Sequence, residues 1–557
     1  MEGADGMPQQ GMRQNGMPHI GMPDVGIPDS RIRHLQVAID HLEARRWRLA
    51  EVRGRVLLAV DPGDVEAMLI LGLAIAASGE AARAAPILER VRRARPDHAG
   101  PCHDLATMRP RIPRSVVARQ YRACLRLAPA DVRLRHDFAG YLLEHGEPDA
   151  ALSVLREAPE SPVTDILRGM ALAETSRFKE ATRCFEYAAR AVPESAAAWA
   201  NLGMMLKIEG RFDEALTAYD RAIARAPDDP QIKVNRATAL LHAGQWEDAW
   251  RDFEWRFNRP GHVAVSHATP LPLLDSGICL EGRSVLVWHE EGFGDTLQFA
   301  RYLPMLARRG AVVTASVPLP LVRLLRGIPG ITVIAAGDGP LPPHDYQAPF
   351  FSLPRAFGTT TRTVPNEPYL TADPALAASW AQRVKGDGPG VGLVWAGQAR
   401  PWLQGFTAVD RRRSAGLAAF APLTAVRGVR FISLQAGTQA AQGQEPPLGL
   451  ELTDPMDSVR DFADTAAIIA NLDVVISVDT SVAHLAGAMG KPVFLLDRYD
   501  NCWRWLHGRT DTPWYPSMTI FRQPRPGDWA WVLHRAAAAL TARVAFRGGA
   551  HALANAA

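Results

Sequence analysis

Asp479-Thr480-Ser481-Val482-Ala483-His484 stands directly after the apolar run Val474-Val475-Ile476-Ser477-Val478. The run reads as a buried strand, and the two hydroxyls fall on the first turn of a helix that continues to about Met489. Hydroxyls, free backbone N–H groups and the positive end of the helix dipole converge at such a turn, which suits a diphosphate. The plainer alternative is an ordinary cap, in which Asp479 or Thr480 satisfies the helix and binds nothing. A second cluster, His289-Glu290-Glu291-Gly292-Phe293-Gly294-Asp295, comes after the strand-like Ser284-Val285-Leu286-Val287-Trp288. Its glycines allow a tight turn and close approach of backbone to a ligand. Adjacent carboxylates raise one another's pKa, although two exposed loop glutamates are the commoner arrangement.

The elements around these clusters alternate between strand and helix. After Trp288 a helix is expected from about Thr296 to Arg309, then strands over Ala311–Val317 and Ile331–Ala335, with Leu319–Arg326 helical between them. A second unit begins after Pro389. It contains Val391-Gly392-Leu393-Val394-Trp395-Ala396-Gly397 as strand and glycine turn, Phe431–Gln435 as strand, Thr465–Asn471 as helix and Val493–Leu496 as strand. This order implies parallel, doubly wound sheets, whose ligands sit at the carboxyl ends of the strands. Both clusters lie at such ends. Asp464 reads as a helix N-cap, and Asp528–Val544 as a closing helix rich in Ala.

Upstream the periodicity changes. Gly169, Gly203 and Ala237 are 34 residues apart, as are Phe178, Phe212 and Trp246, then Ala181, Ala215 and Ala249, then Phe185, Tyr219 and Phe253. Small residues mark close helix approach, aromatics fill the space behind, and Pro193 and Pro227 close the second helices. This is the pattern of the tetratricopeptide repeat. Looser copies begin around Trp47, Gly72 and Ala139, while His98–Pro129 is interrupted by Pro110 and Pro113. Roughly six or seven units are present, enough for a self-supporting helical array. Such arrays hold peptides or partner proteins, and self-association into a homo-oligomer is the alternative. Trp250, Phe253 and Trp255 read as a plug between the array and the strand–helix half, and Asn258–Pro272 as a linker.

Composition narrows the classes. A formal charge of +3 over 557 residues gives no electrostatic case for nucleic acid as the main partner. The five cysteines, Cys102, Cys124, Cys184, Cys279 and Cys502, form no CxxC pair, against a zinc site or disulfide framework. No apolar run is long enough to span a bilayer, and no signal peptide is evident, so a cytoplasmic location is expected. In the first thirty residues, Gly recurs every fifth position from Gly6 to Gly26, usually with Met and Pro next, which reads as a disordered tail. The organisation expected is a tail over 1–30, repeats over 31–257, a linker over 258–281, two Rossmann-like domains over 282–385 and 386–545, and a tail over 546–557.

Gly294-Asp295, Val391-Gly392 with Trp395-Ala396-Gly397, and Ser477 to Gly487 together resemble the heptosyltransferase-related glycosyltransferases of family 9. Trp503-Arg504-Trp505 and Asp511-Thr512-Pro513-Trp514-Tyr515-Pro516 further resemble bacterial fusions of tetratricopeptide repeats to a family-9-like domain. The resemblance implies a multidomain chain, an all-α repeat array joined to an α/β GT-B pair of domains facing each other across a cleft. The helix over Asp528–Val544 would cross back to the first of that pair. The resemblance also implies inverting transfer without a metal or other cofactor, with a nucleotide-sugar as donor substrate. Asp295 matches the proposed general base, which would take the proton of an acceptor hydroxyl. Thr480, Ser481 and His484 match the turn that holds the diphosphate, beside Asp479, Gly294, Trp395 and Gly397. His289, Glu291 and Arg504 would line the cleft, although Trp503 and Trp505 around Arg504 suit domain packing equally.

Departures from the family pattern bear on the donor. Ser481 stands where Gly is common, and Gln435 replaces an acidic residue near the nucleoside. The family's loop lysine has no counterpart, and Arg411, Arg412 or Arg413 is the candidate phosphate cation, with Arg412 the chosen one. The implied reaction is sugar transfer to a protein hydroxyl held by the repeats, with flagellin the acceptor suggested by analogy. Two alternatives stand beside it: transfer to a polysaccharide or lipid-linked glycan, and a scaffold whose transferase domain has lost activity.

Overall fold

The computed structural model describes residues 29–94 except 45, 117–118, 121–122, 125–126, 129–260, 271–337, 341, 343–399 and 407–554. The expected tail before residue 29, most of the Pro-interrupted copy, the middle of the linker and residues 400–406 lie outside the described residues. The chain divides into two compact units, Met1–Phe138 and Ala139–Ala557.

The first unit contains helices α1 (Asp29–Glu43), α2 (Trp47–Val60), α3 (Val65–Ala77) and α4 (Ala81–Ala94), each packed on the next. Asp64 caps α3 by accepting from the N–H groups of Glu66 and Ala67. Gly72 lies against Leu88, and a Cβ on it would stand 2.5 Å from that side chain. Helix α5 (Val132–Glu144) spans the division.

The second unit continues with α6 (Pro148–Leu155), α7 (Pro162–Glu174), α8 (Phe178–Ala191), α9 (Ala196–Ile208), α10 (Phe212–Arg225), α11 (Pro230–His242) and α12 (Trp246–Phe253). The helix pairs carry the 34-residue rule in physical form. Gly169 faces the Phe185 ring and Gly203 the Tyr219 ring, and an added Cβ would meet these at 2.8 and 3.0 Å. The first helix of each pair is started by a side-chain cap from Ser161, Ser195 or Asp229. The second helices lack such caps and begin on the large apolar residues Phe178, Phe212 and Trp246, where Arg177–Glu180 and Arg211–Glu214 ion pairs brace the first turn.

Two parallel sheets complete the unit. Strands β1 (Ser284–Trp288), β2 (Val312–Val317), β3 (Ile331–Ala335) and β4 (Tyr346–Pro349) form the first, in the order β3-β2-β1-β4. Strands β5 (Gly390–Val394), β6 (Arg430–Ser433), β7 (Leu452–Thr453), β8 (Val474–Val478), β9 (Val493–Asp497) and β10 (Met518–Arg522) form the second, in the order β10-β9-β8-β5-β6-β7. The accompanying helices are α13 (Phe293–Phe299), α14 (Leu303–Arg308), α15 (Leu319–Leu325), α16 (Leu353–Ala356), α17 (Pro374–Arg383), α18 (Thr407–Arg412), α19 (Phe462–Ala470), α20 (Ser481–Ala488) and α21 (Trp529–Ala554). The chain thus has an all-α repeat region joined to α/β structure.

Several local expectations are corrected. The helix expected over 296–309 begins at Phe293 and is broken by a 3-10 turn at Ala300–Tyr302, ahead of Pro304. The cap of α19 is Asp461, while Asp464 sits inside the helix, buried and bound by Trp380, Arg460 and Arg323. The closing helix does not cross back to the first sheet. Its Val532, Leu533, Ala536 and Leu540 pack in the core of the second, with Val391, Leu393 and Phe420. It also continues to Ala554, past the expected start of a frayed tail.

The end of the repeats is built into the first sheet. Trp250 donates to the Thr359 carbonyl at 2.8 Å, and Phe253 stacks on Phe351. Trp255 instead lies under Lys233, 3.1 Å from ring centroid to ammonium. Arg256 and Glu290 form a two-pronged ion pair at 3.0 and 2.9 Å, both side chains almost fully buried. Glu290 is therefore not the exposed loop glutamate that its position suggests. Arg256 also reaches Glu254, Ser352 and the Phe253 carbonyl, so its donors are used up. Removing the guanidinium would strand a buried carboxylate. Arg256→Met is expected to destabilise the chain by about 3–5 kcal/mol, and Glu290→Gln added to it to recover most of that loss. Thermal or urea unfolding of the single and double variants checks this.

Candidate functional site

The site grows from the carboxyl ends of β1 and β8. Past β1 the loop His289–Gly292 leads into α13. Asp295 reaches back from the third residue of the helix and accepts from the Gly292 N–H at 2.8 Å, closing the first turn. Its other oxygen accepts from Arg504 Nη2 at 2.5 Å. Arg504 comes from the second half, lies flat over Trp503 and donates from Nε to Gln298. Asp295 keeps 23% of its side-chain surface exposed and Arg504 only 9%.

Past β8 the chain bends at Asp479, Thr480 is extended and α20 begins at Ser481. No side chain caps this helix: Thr480 Oγ1 bonds Ser477 Oγ at 3.0 Å, and Asp479 lies 3.7 Å from Arg498. The expectation that Asp479 or Thr480 acts as an ordinary cap therefore does not hold. The tip is half-exposed, and the N–H groups of Ser481 and Val482 have no hydrogen-bond partner among the described residues.

The two tips touch. A Cβ on Gly294 would stand 2.9 Å from the His484 ring and 3.5 Å from Ser481 Cα. Gly294, Asp295, Ser481, His484 and Arg504 are thus one cluster, in direct contact where an open gap between domains was expected. His484 is buried, shares a hydrogen bond with the Tyr515 hydroxyl at 2.9 Å and stacks on Trp505. Burial and the nearby Arg504 push its pKa down to about 4, so the ring is neutral near pH 7.

Trp395, Gly397, Arg412 and Gln435 stand apart from this cluster, while His289 and Glu291 lie close enough to Asp295 to feel its charge. The Trp395 ring is fully buried and donates to the Gln439 carbonyl. Gln435 is committed to the same loop: its oxygen accepts from the N–H groups of Trp395 and Ala396, and its nitrogen donates to the carbonyls of Ala396 and Ala436. It shapes the turn at the end of β5 and has no free amide to offer. Gly397 is covered by the Arg413 guanidinium. Arg412 is paired with Asp500 at 2.9 Å, and Arg411 donates to the Glu174 carbonyl at the C-terminus of α7, so these arginines bind the repeats to the second sheet. His289 bonds Thr296 at 2.7 Å, with its pKa lowered by burial. Glu291 is 40% exposed and faces Arg259 at 3.5 Å. Gln298 and Arg498, which no motif singles out, contact the predicted residues Arg504 and Asp479, and Tyr515, which lies in a quoted motif but was given no role there, bonds His484.

The folded pKa of His484 lies below its ordinary 6.5. The unfolded chain therefore binds the extra proton between these values. Stability from this group is intact above pH 6.5 and is lost as pH falls toward 4. His484→Asn is expected to flatten the decline in melting temperature over that window, as read from thermal melts across pH.

Comparison with known proteins bears on both halves. Residues 196–229, and separately 35–99 and 166–206, match tetratricopeptide repeats. Residues 460–526, which carry α19, β8, α20 and the Arg504 loop, match glycosyltransferase family 9 (heptosyltransferase). Protein FlbA of Caulobacter vibrioides is 30% identical over 334 residues, 55% of this chain and 54% of its own length. The chain thus spans about half the length of the curated relative it matches. Among solved structures, MamA is similar at 19% identity over 26% of this chain and 87% of its own, TM-score 0.24. YrrB, a TPR protein with an unusual peptide-binding site, is similar at 14% identity over 38% of this chain and 93% of its own, TM-score 0.24. The chain thus joins segments that match tetratricopeptide repeats to a segment, 460–526, that matches glycosyltransferase family 9.

Proposed function

We propose that the chain is an inverting glycosyltransferase that moves a sugar from a nucleotide-sugar to a hydroxyl of a protein held by the repeats. The observation that carries this reading is the contact between the Asp295 turn and the helix start at Ser481, which has no side-chain cap. In the proposed step an acceptor O–H gives its proton to Asp295 while the oxygen attacks the anomeric carbon. The bond from that carbon to the nucleotide phosphate breaks, and the pair of electrons leaves with the diphosphate. Thr480, Ser481 and the first N–H groups of α20 stabilise that charge. Each Asp295 oxygen makes one hydrogen bond, so further lone pairs remain for the acceptor. The repeats from Ala139 onward are part of the same compact unit as both sheets, which favours an acceptor delivered by the repeats.

One observation favours a scaffold without activity: both Asp295 oxygens already serve structure, one closing α13 and one holding Arg504. Asp295→Asn separates the readings. The transferase reading expects transfer, or slow donor hydrolysis, to fall about 10²–10⁴-fold while nucleotide binding persists. Equal activity of the variant, or no turnover by the native chain with any nucleotide-sugar, sinks it. For the acceptor, proteins captured by the full chain, flagellin included, are expected to carry added sugar mass in mass spectrometry after incubation with donor. Sugar found only on glycans would move the acceptor to the polysaccharide class.

A further inference from the structure

The arginines expected to meet the phosphates are committed elsewhere, Arg411 and Arg412 to the repeats and Arg413 to Asp410 and the Gln398 carbonyl. A different cation stands at the helix tip. Strand β9 lies beside β8, with Leu496 opposite Val478, so Arg498 and Asp479 leave adjacent carboxyl ends of the sheet. The Arg498 side chain is only 10% exposed. Its Nε donates to the Asp500 carbonyl at 3.2 Å and lies 3.3 Å from the Asp500 carboxylate. Its Nη1 is 3.7 Å from Asp479, beyond hydrogen-bond range, and neither terminal nitrogen makes a hydrogen bond among the described residues. The Asp479 and Asp500 charges offset the burial of this guanidinium, while the hydrogens of its terminal nitrogens stay without an acceptor among the described residues. The fork suits two phosphate oxygens.

Charge supports the same assignment. Asp479 precedes the helix start by two residues and would repel a diphosphate there, and Arg498 offsets it. Asp500 fixes the Arg498 stem and is itself held by Arg412. Lys207, on repeat helix α9, acts on Asp500 as well, and burial pushes its pKa down to about 8. The line of contacts runs from repeat helix α7 through Arg412 and Asp500 to Arg498.

Building on the transferase reading, we propose that Arg498 binds the diphosphate of the nucleotide-sugar at the start of α20, and that the repeats position it through Asp500. The test uses the full chain and calorimetric titration with the diphosphates of uridine, guanosine, cytidine, adenosine and thymidine, with the matching monophosphates and CMP as controls. Arg498→Gln is expected to weaken diphosphate binding at least tenfold and monophosphate binding less. Arg498→Lys is expected to restore part of the loss, and Asp500→Asn to give an intermediate one. Circular dichroism and the unliganded melting temperature report the fold of each variant. If Arg498→Gln does not fold, Arg498→Lys and Asp500→Asn carry the test, and native affinity in both overturns the proposal. A folded Arg498→Gln with native affinity overturns the Arg498 assignment and leaves the transferase reading standing. A native chain that binds none of the nucleotides overturns the transferase reading itself, and binding of CMP alone overturns the diphosphate assignment.

Discussion

The missing side chain at Gly294 is the constraint on which the site depends. Helix α13 belongs to the first sheet and α20 to the second, and they meet where any Cβ would press into the His484 ring. That contact sets a carboxylate and a helix start side by side with no loop to mediate between them. Arg504 then fastens the arrangement from a third direction, bonded at once to Asp295 and to Gln298 on α13. A neutral, buried His484 suits this junction better than a charged one, because an imidazolium would sit beside the Arg504 guanidinium.

The last repeat helices, α11 and α12, share a continuous apolar core with the sheets. Trp246 stacks on Trp514 with centroids 5.2 Å apart and meets Trp503 edge-on, while Phe178 stacks on Tyr499. Polar contacts cross the same boundary: His242 reaches the Asn501 carbonyl, and Arg411 and Arg412 reach the last carbonyls of α7, where cations are favoured by the helix dipole. The 497–514 segment therefore serves twice, once as the seat of the repeats and once as the source of Arg498 and Arg504.

Much of this was legible in the sequence because it is periodic or local. The 34-residue step marked the small residues where helices approach closely and the aromatics behind them, and apolar runs predicted β1, β2, β3, β5, β6, β8 and β9 nearly residue by residue. Of the strands that escaped, β7 has two residues and β4 ends in Pro349, while β10 is of ordinary length and carries Thr519 and Arg522 among its apolar residues. Side-chain roles were harder, since they depend on partners far along the chain. Glu290 looks like a loop glutamate until Arg256 is folded against it. Arg412 looks like a phosphate ligand until Asp500 and α7 reach it. Gln435 looks like a nucleoside ligand until its amide is seen to be fully used. The motif strings fall on the turns after β1 and β8, and three-dimensional pairing decides which members of each turn are already bonded.

The joint at Arg256 limits how this protein can be divided. A polypeptide begun at the linker would bare Phe351, Trp503 and Trp514 and leave Glu290 inside without its counter-charge. Such a fragment would be a sticky, ill-formed particle in place of a minimal catalyst. Exchange of repeats among relatives would for the same reason have to carry the helices from α7 onward along, so that any new arm is grafted upstream of residue 162.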